Sequence, residues 1–125
     1  MAANKAEQEL VDQWRDILSL HARTQCELDR ALNQHGLCAS DFEVLDVLAG
    51  GTCPRRVQEI AEHVHLSQSA LSRLIARLEK DGLVERRMCP EDRRGVKVAL
   101  TAKGHRLHGE VLPVQRAVLT RMLSG

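Results

Sequence analysis

The chain has 125 residues, with 18 Lys plus Arg against 17 Asp plus Glu and a formal net charge of +1. That length bounds one domain of ordinary size, and 43% hydrophobic with 28% charged residues is a soluble globular composition, not a disordered or fibrous one. One Trp, one Phe and no Tyr argue against a surface that stacks unpaired bases, which needs exposed aromatic platforms.

From the N-terminus, MAANKAEQELVDQW carries no export signal, and no apolar run approaches the ~20 residues that span a bilayer. The reading is therefore cytoplasmic, with Cys26, Cys38, Cys53 and Cys89 as reduced thiols. A long first helix is predicted over about Glu7–Gln34 from Leu10, Trp14, Ile17, Leu18, Leu28, Ala31 and Leu32, stopped by His35-Gly36. Ser40 with Glu43 three residues later reads as a capping box for a short helix carrying Phe42, Leu45, Val47 and Leu48. Gly50-Gly51 ends that helix, and Pro54 opens a segment in which Val57, Ile60, Ala61 and Val64 recur at helical spacing.

Ser67 is the next N-cap. The helix behind it divides into two faces. Leu71, Leu74, Ile75 and Leu78 form one stripe, and Ser69, Ser72, Arg73, Ala76, Arg77 and Lys80 form the other, with Gly82 as the stop. The period then changes to two. Leu83–Met88 and Val96–Leu100 read as a two-stranded hairpin whose connection, Cys89–Gly95, carries Arg93 and Arg94 at its tip. Thr101 caps a last helix, bent at Pro113.

Charge follows the same division. Between Arg55 and Arg106 lie 12 Lys/Arg and 7 Asp/Glu, a local balance of +5, and the remainder carries 6 against 10, or −4. The basic part is able to attract an anion. Helix, turn, helix and hairpin in that order describe a winged helix-turn-helix, whose second helix enters the DNA major groove. The residue types suit that role. Arg forks onto guanine edges, Gln onto adenine, and Ser reaches bases or phosphates. The helix start at Ser67-Gln68-Ser69 presents backbone N–H groups to a phosphate, and Arg93 and Arg94 suit a narrow minor groove. Arg86, Arg87 and Lys97 also lie on the hairpin, where alternation turns some of them away from DNA.

The run V-Q-E-I-A-E-H-V-H-L-S-Q-S-A-L-S-R-L-I-A-R-L-E-K-D-G-L-V-E-R-R, followed by C-P-E-D-R-R-G-V-K-V-A-L-T-A-K-G, resembles the MarR family of bacterial transcriptional regulators. D-R-R in the wing followed by L-T-x-x-G is the specific part of the match. The resemblance implies a mainly α fold with a small β-hairpin wing. Residues 1–36 and 102–125 would be dimerisation helices, and 37–101 the DNA-binding lobe. It implies Ser67, Gln68, Ser69, Ser72, Arg73 and Arg77 as the recognition surface, with Arg94, and beside it Arg93 and Lys97, on the wing. Asp92 resembles the acidic residue that braces the wing.

The implied function is a sequence-specific regulator of double-stranded DNA, a homodimeric repressor on a pseudo-palindromic operator, released by a small ligand. No cofactor and no membrane partner is expected. Members of the family continue past the kinked helix into a further helix, and this chain ends at R-M-L-S-G, so a smaller dimer interface is expected.

Trp14 and Phe42 are the residues that would line a ligand pocket. Cys26 and Cys38 raise a thiol-responsive alternative. His63-x-His65 and His105-x-x-His108 raise a metal-responsive one, although zinc needs three or four convergent ligands and no C-x-x-C or H-E-x-x-H frame is present. An enzyme is not indicated, for there is no glycine-rich phosphate loop and no nucleophile motif. A winged-helix protein-interaction adaptor is the alternative from another class, and the arginine-bearing outer face of Ser67–Lys80 counts against it.

Overall fold

Asn4 opens the first helix by accepting the Glu7 N–H at 2.8 Å, one of the donors that a helix start leaves without a partner. The computed structural model describes residues 4–51, 54–89 and 92–124, with the side chains of residues 89 and 92–95 outside the described set. In chain order the elements are α1 (Lys5–Asn33), α2 (Ala39–Ala49), β1 (Arg55–Arg56), α3 (Val57–Val64), α4 (Gln68–Lys80), β2 (Val84–Cys89), β3 (Asp92–Leu100) and α5 (Ala102–Leu123).

Helix α1 lives in two environments. Thr24, Leu28 and Leu32, four residues apart, are buried where α1 packs against α5 and α2. The preceding turns leave Leu10, Trp14, Ile17 and Leu18 exposed. Gly36, at φ +78°, ends the buried part. Its N–H bonds the Asn33 carbonyl and the Leu37 N–H bonds that of Leu32, a closure that needs a left-handed residue and so favours glycine.

The start of α2 differs from the expected Ser40–Glu43 box. Cys38 is the N-cap, and Asp41 accepts its N–H at 2.9 Å. The reason is non-local. Asp29 of α1 accepts the Ala39 N–H at 2.8 Å, so two adjacent donors find carboxylates and the helix begins earlier than local pattern suggests. Glu43 is instead a half-buried residue whose carboxyl is pushed up by burial and then by the Asp46 charge, with Arg116 opposing.

Phe42, Leu45 and Leu48 of α2 meet Ile60 of α3, Leu71, Ile75 and Leu78 of α4, and Val111 and Val118 of α5 in one core. His65 closes α3 in the left-handed region at φ 56°, which histidine tolerates better than branched residues do. Ser67 then caps α4, its Oγ accepting the Ala70 N–H at 3.2 Å. At the other end the Leu83 N–H reaches the Leu78 carbonyl and the Gly82 N–H that of Glu79, with Gly82 at φ +77°.

The sheet has three antiparallel strands in the order β1-β3-β2, not the two expected. Arg55 lies opposite Val98 and Arg56 opposite Lys97; two residues are too few to show a period. The expected Cys89–Gly95 connection is also shorter than predicted. Strand β3 already begins at Asp92, which pairs with Cys89 after an irregularity between Met88 and Cys89. Thr101 caps α5 as expected, accepting the Gly104 N–H at 3.0 Å and donating to the Gly82 carbonyl at 2.6 Å. The helix runs through Pro113, whose ring removes one ladder donor. Among the described residues no helix is long and apolar enough to cross a membrane.

Gly104 gives the L-T-x-x-G motif a physical reason. A Cβ there would lie 2.1 Å from the Leu83 carbonyl oxygen, whereas at Gly109 of the same helix it would meet nothing within 4 Å. Gly104→Ala should therefore cost at least about 1–3 kcal/mol through forced backbone displacement, and Gly109→Ala should gain about 0.5–1 kcal/mol in helix propensity. Urea unfolding of both variants checks the contrast; equal effects would contradict the close approach.

Candidate nucleic-acid interface

The two faces of α4 separate in the structure as their spacing predicts. Leu71, Leu74, Ile75 and Leu78 are buried, and Ser67, Gln68, Ser69, Ser72, Arg73, Ala76, Arg77 and Lys80 are exposed or nearly so. The buried stripe fixes the rotation of the helix about its axis, and that rotation presents the polar stripe outward. The Ser67 and Ser69 hydroxyls lie 3.3 Å apart at the helix start, where the positive end of the helix dipole faces outward. Arg73 makes no ion pair among the described residues, so its guanidinium is available to a ligand.

Arg77 behaves differently. Its side chain is 47% exposed yet bonded to Asp41, whose side chain is 2% exposed. The Asp41 hydrogen bond pushes its already high titration further up, so its charge is permanent and largely answered within the fold. Sequence placed Arg77 with Arg73 as an equivalent reader. The structure makes it first a tie between α4 and α2.

Register sorts the hairpin cations. Arg56, Lys97 and Arg87 occupy directly opposed positions on β1, β3 and β2, and opposed residues share a sheet face. They form a row of three positive charges across the sheet, with Glu85 bonding Arg87 through a 2.8 Å contact to Nε. Arg86 takes the opposite face and meets Glu79 of α4 at 3.3 Å. Arg56 was not legible as a site residue, since it belongs to a strand without a pattern. Asp92, Arg93 and Arg94 lie on β3, not in a tip loop, and their side chains fall outside the described residues.

Trp14 and Phe42 lie in different surroundings. Phe42 is 1% exposed and stacks on His108 at 5.7 Å between ring centroids. Trp14 is 58% exposed and lies about 15 Å along α1 from Thr24, where the helix first enters the core. A cleft of about 600 Å³ opens elsewhere, between the end of α1, the end of α4 and α5, with His35, Lys80, Lys103 and Arg106 in its lining.

The histidines likewise differ in their surroundings. His108 is bonded to Asp46 at 2.8 Å, with Arg116 at 4.0 Å from the same carboxylate, which joins α5 to α2. His63, His65 and His105 are exposed, and among the described residues no three His, Cys, Asp or Glu side chains converge on a metal position.

A model of the MarR family matches residues 51–96, from the end of α2 into β3. The transcriptional repressor MdtR of Bacillus subtilis (strain 168) is 30% identical over 120 residues, covering 95% of this chain and 76% of that protein. The chain belongs to the MarR family. Two MarR regulators of Streptomyces coelicolor have the same fold. AbsC superposes with a TM-score of 0.86 at 30% identity, covering 98% of this chain and 82% of that one. Sco3205, solved in complex with DNA, superposes at 0.83 and 31% identity, covering 98% and 77%. Against the uncharacterized regulator YkoM of Bacillus subtilis the match spans 62% of that protein's length, and against MhqR of the same organism 66%.

For this MarR chain the thiols are unequal. Cys26 is exposed in a cleft with Arg23, Glu27, Arg121 and Met122. Cys38 is half-buried, and burial, with the Asp41 charge adding to it, pushes its thiol up. Thiolate is the reactive form. Iodoacetamide labelling followed by peptide mass mapping near neutral pH should therefore modify Cys26 before Cys38, with the gap narrowing as pH rises. Equal rates at neutral pH would show that Cys38 is not shielded.

Proposed function

We propose that the chain is a sequence-specific, double-stranded DNA-binding transcriptional regulator that acts as a homodimer in the cytoplasm, with repression as its output. The observation that carries this reading is the exposed Ser67–Lys80 face of α4, with Arg73 at its centre making no ion pair among the described residues and four buried residues locking the opposite face. Its types and spacing match major-groove readout. The Arg56–Lys97–Arg87 row supports it. A row of cationic side chains on one sheet face is the kind of surface that meets a phosphate backbone. The repressor name of MdtR and the DNA complex of Sco3205 point the same way.

The dimer is supported by α1. Leu10, Trp14, Ile17 and Leu18 recur at helical spacing and remain exposed, an apolar stripe of the kind an isologous partner covers. In this reading α1 and α5 are the scaffold and residues 37–101 the reading lobe, with Arg94 and Arg93 entering the minor groove and Asp92 bracing the wing.

Selection of duplexes from a random library, followed by fluorescence anisotropy over a salt series, tests the reading. Affinity should fall steeply with salt. Arg73→Ala should cost about 1–3 kcal/mol and relax base preference at one position, while Arg94→Ala should weaken binding with little change in major-groove preference. Duplex binding that is absent or insensitive to salt would favour the adaptor alternative. The dimer has its own check: Ile17→Glu should move the sedimentation coefficient from that of a pair to that of a single chain.

A further inference from the structure

We infer that Asp29 sets the half-site separation that the dimer accepts, acting as a positioning residue at the joint between the dimer helix and the reading lobe. This rests on the DNA-binding dimer proposed above. The joint consists of two neighbouring backbone N–H groups at the head of α2 and the two carboxylates that hold them. Asp29, on α1, takes the Ala39 N–H at 2.8 Å. Asp41 takes the Cys38 N–H at 2.9 Å through Oδ2 and Arg77 of α4 through Oδ1. The path from α1 to the recognition helix therefore runs through consecutive residues of one turn.

Both ends of this path matter to spacing. Asp29 stands on the same continuous helix as the exposed Leu10–Leu18 stripe, so the partner subunit fixes its position. Asp41 is 1% exposed, so water cannot take the place of its bonds, and Arg77 follows it. Further links between lobe and scaffold run through α5, by way of Lys103 Nζ on the Asp81 carbonyl at 2.8 Å and His108 on Asp46. The Asp29 bond is the side-chain hydrogen bond that joins α1 to α2 among those described. Adding one base pair between half-sites moves the second site by about 3.4 Å and turns it by about a tenth of a helical turn. A stiff joint refuses that displacement, and a joint that has lost its anchor follows it.

The test uses the full chain on an operator enriched from a random duplex library. Three probes are compared by anisotropy: the enriched operator, the same operator with one base pair added or removed between half-sites, and a duplex carrying a single half-site. Asp29→Ala should bind the single half-site within about two-fold of the wild type. Its discrimination between original and altered spacing should fall by about five-fold or more. Asp29→Asn keeps an acceptor in the same place and should retain the wild-type discrimination. If Asp29→Ala does not stay folded, Asp29→Ser, too short to reach Ala39, carries the same expectation. Unchanged discrimination in the anchor-less variant overturns the inference while leaving DNA binding intact, and so does loss of discrimination in Asp29→Asn. No enrichment by the wild type would overturn the DNA-binding reading and this inference with it.

Discussion

Asp41 is buried beneath the half-exposed Arg77 with both oxygens engaged, one by the Cys38 N–H and the other by the Arg77 guanidinium. Burying a carboxylate carries a desolvation penalty of several kcal/mol, and removing one partner of such a pair leaves an uncompensated charge. The arrangement is therefore close to all-or-none. Either α2 begins at Ala39 and α4 brings Arg77 to it, or the carboxylate is stranded. An apolar contact at the same place would tolerate sliding and rotation of the two helices; a charge pair with defined oxygen and nitrogen positions does not. The buried stripe of α4 sets the rotation of that helix, and Asp41 sets its position along α2.

The rest of the lobe is organised around that fixed pair. Turns closed by Gly36 and Gly82 in the left-handed region bring the chain back to the core at Leu37 and Leu83, both buried. The sheet then gains a third strand because the two residues before α3 run beside β3. This addition places Arg56 alongside Lys97 and converts two hairpin cations into a row of three. The charge asymmetry along the chain thus becomes a local surface property.

Much of this was legible wherever periodicity governs. The two faces of α4 follow from Leu71, Leu74, Ile75 and Leu78, and the Ser67 and Thr101 caps follow from residue type and position. What escaped was set by residues distant in sequence. Ser40 and Glu43 have the spacing of a capping box, yet the helix starts earlier because Asp29, ten residues before Ala39, satisfies a donor that local pattern leaves open. Arg77 shares a helical face with Arg73, and its partner stands 36 residues away. Phe42 and Trp14 are the two aromatic residues and so the candidates to line a pocket, while packing sends one into the core and leaves the other on an exposed helix face.

The contact at Gly104 bears on how the hairpin can move. Helix α5 presses its backbone against the Leu83 carbonyl at a separation that leaves no space for a methyl group, and Thr101 bonds the carbonyl of Gly82 beside it. The root of the hairpin is thus clamped to the long helix, and shear between them would drive backbone into backbone. The irregularity between Met88 and Cys89 lies at the other end of the β2–β3 ladder from this clamp. The clamp makes the base of the hairpin move with α5, so the root of the sheet and the long helix behave as one piece.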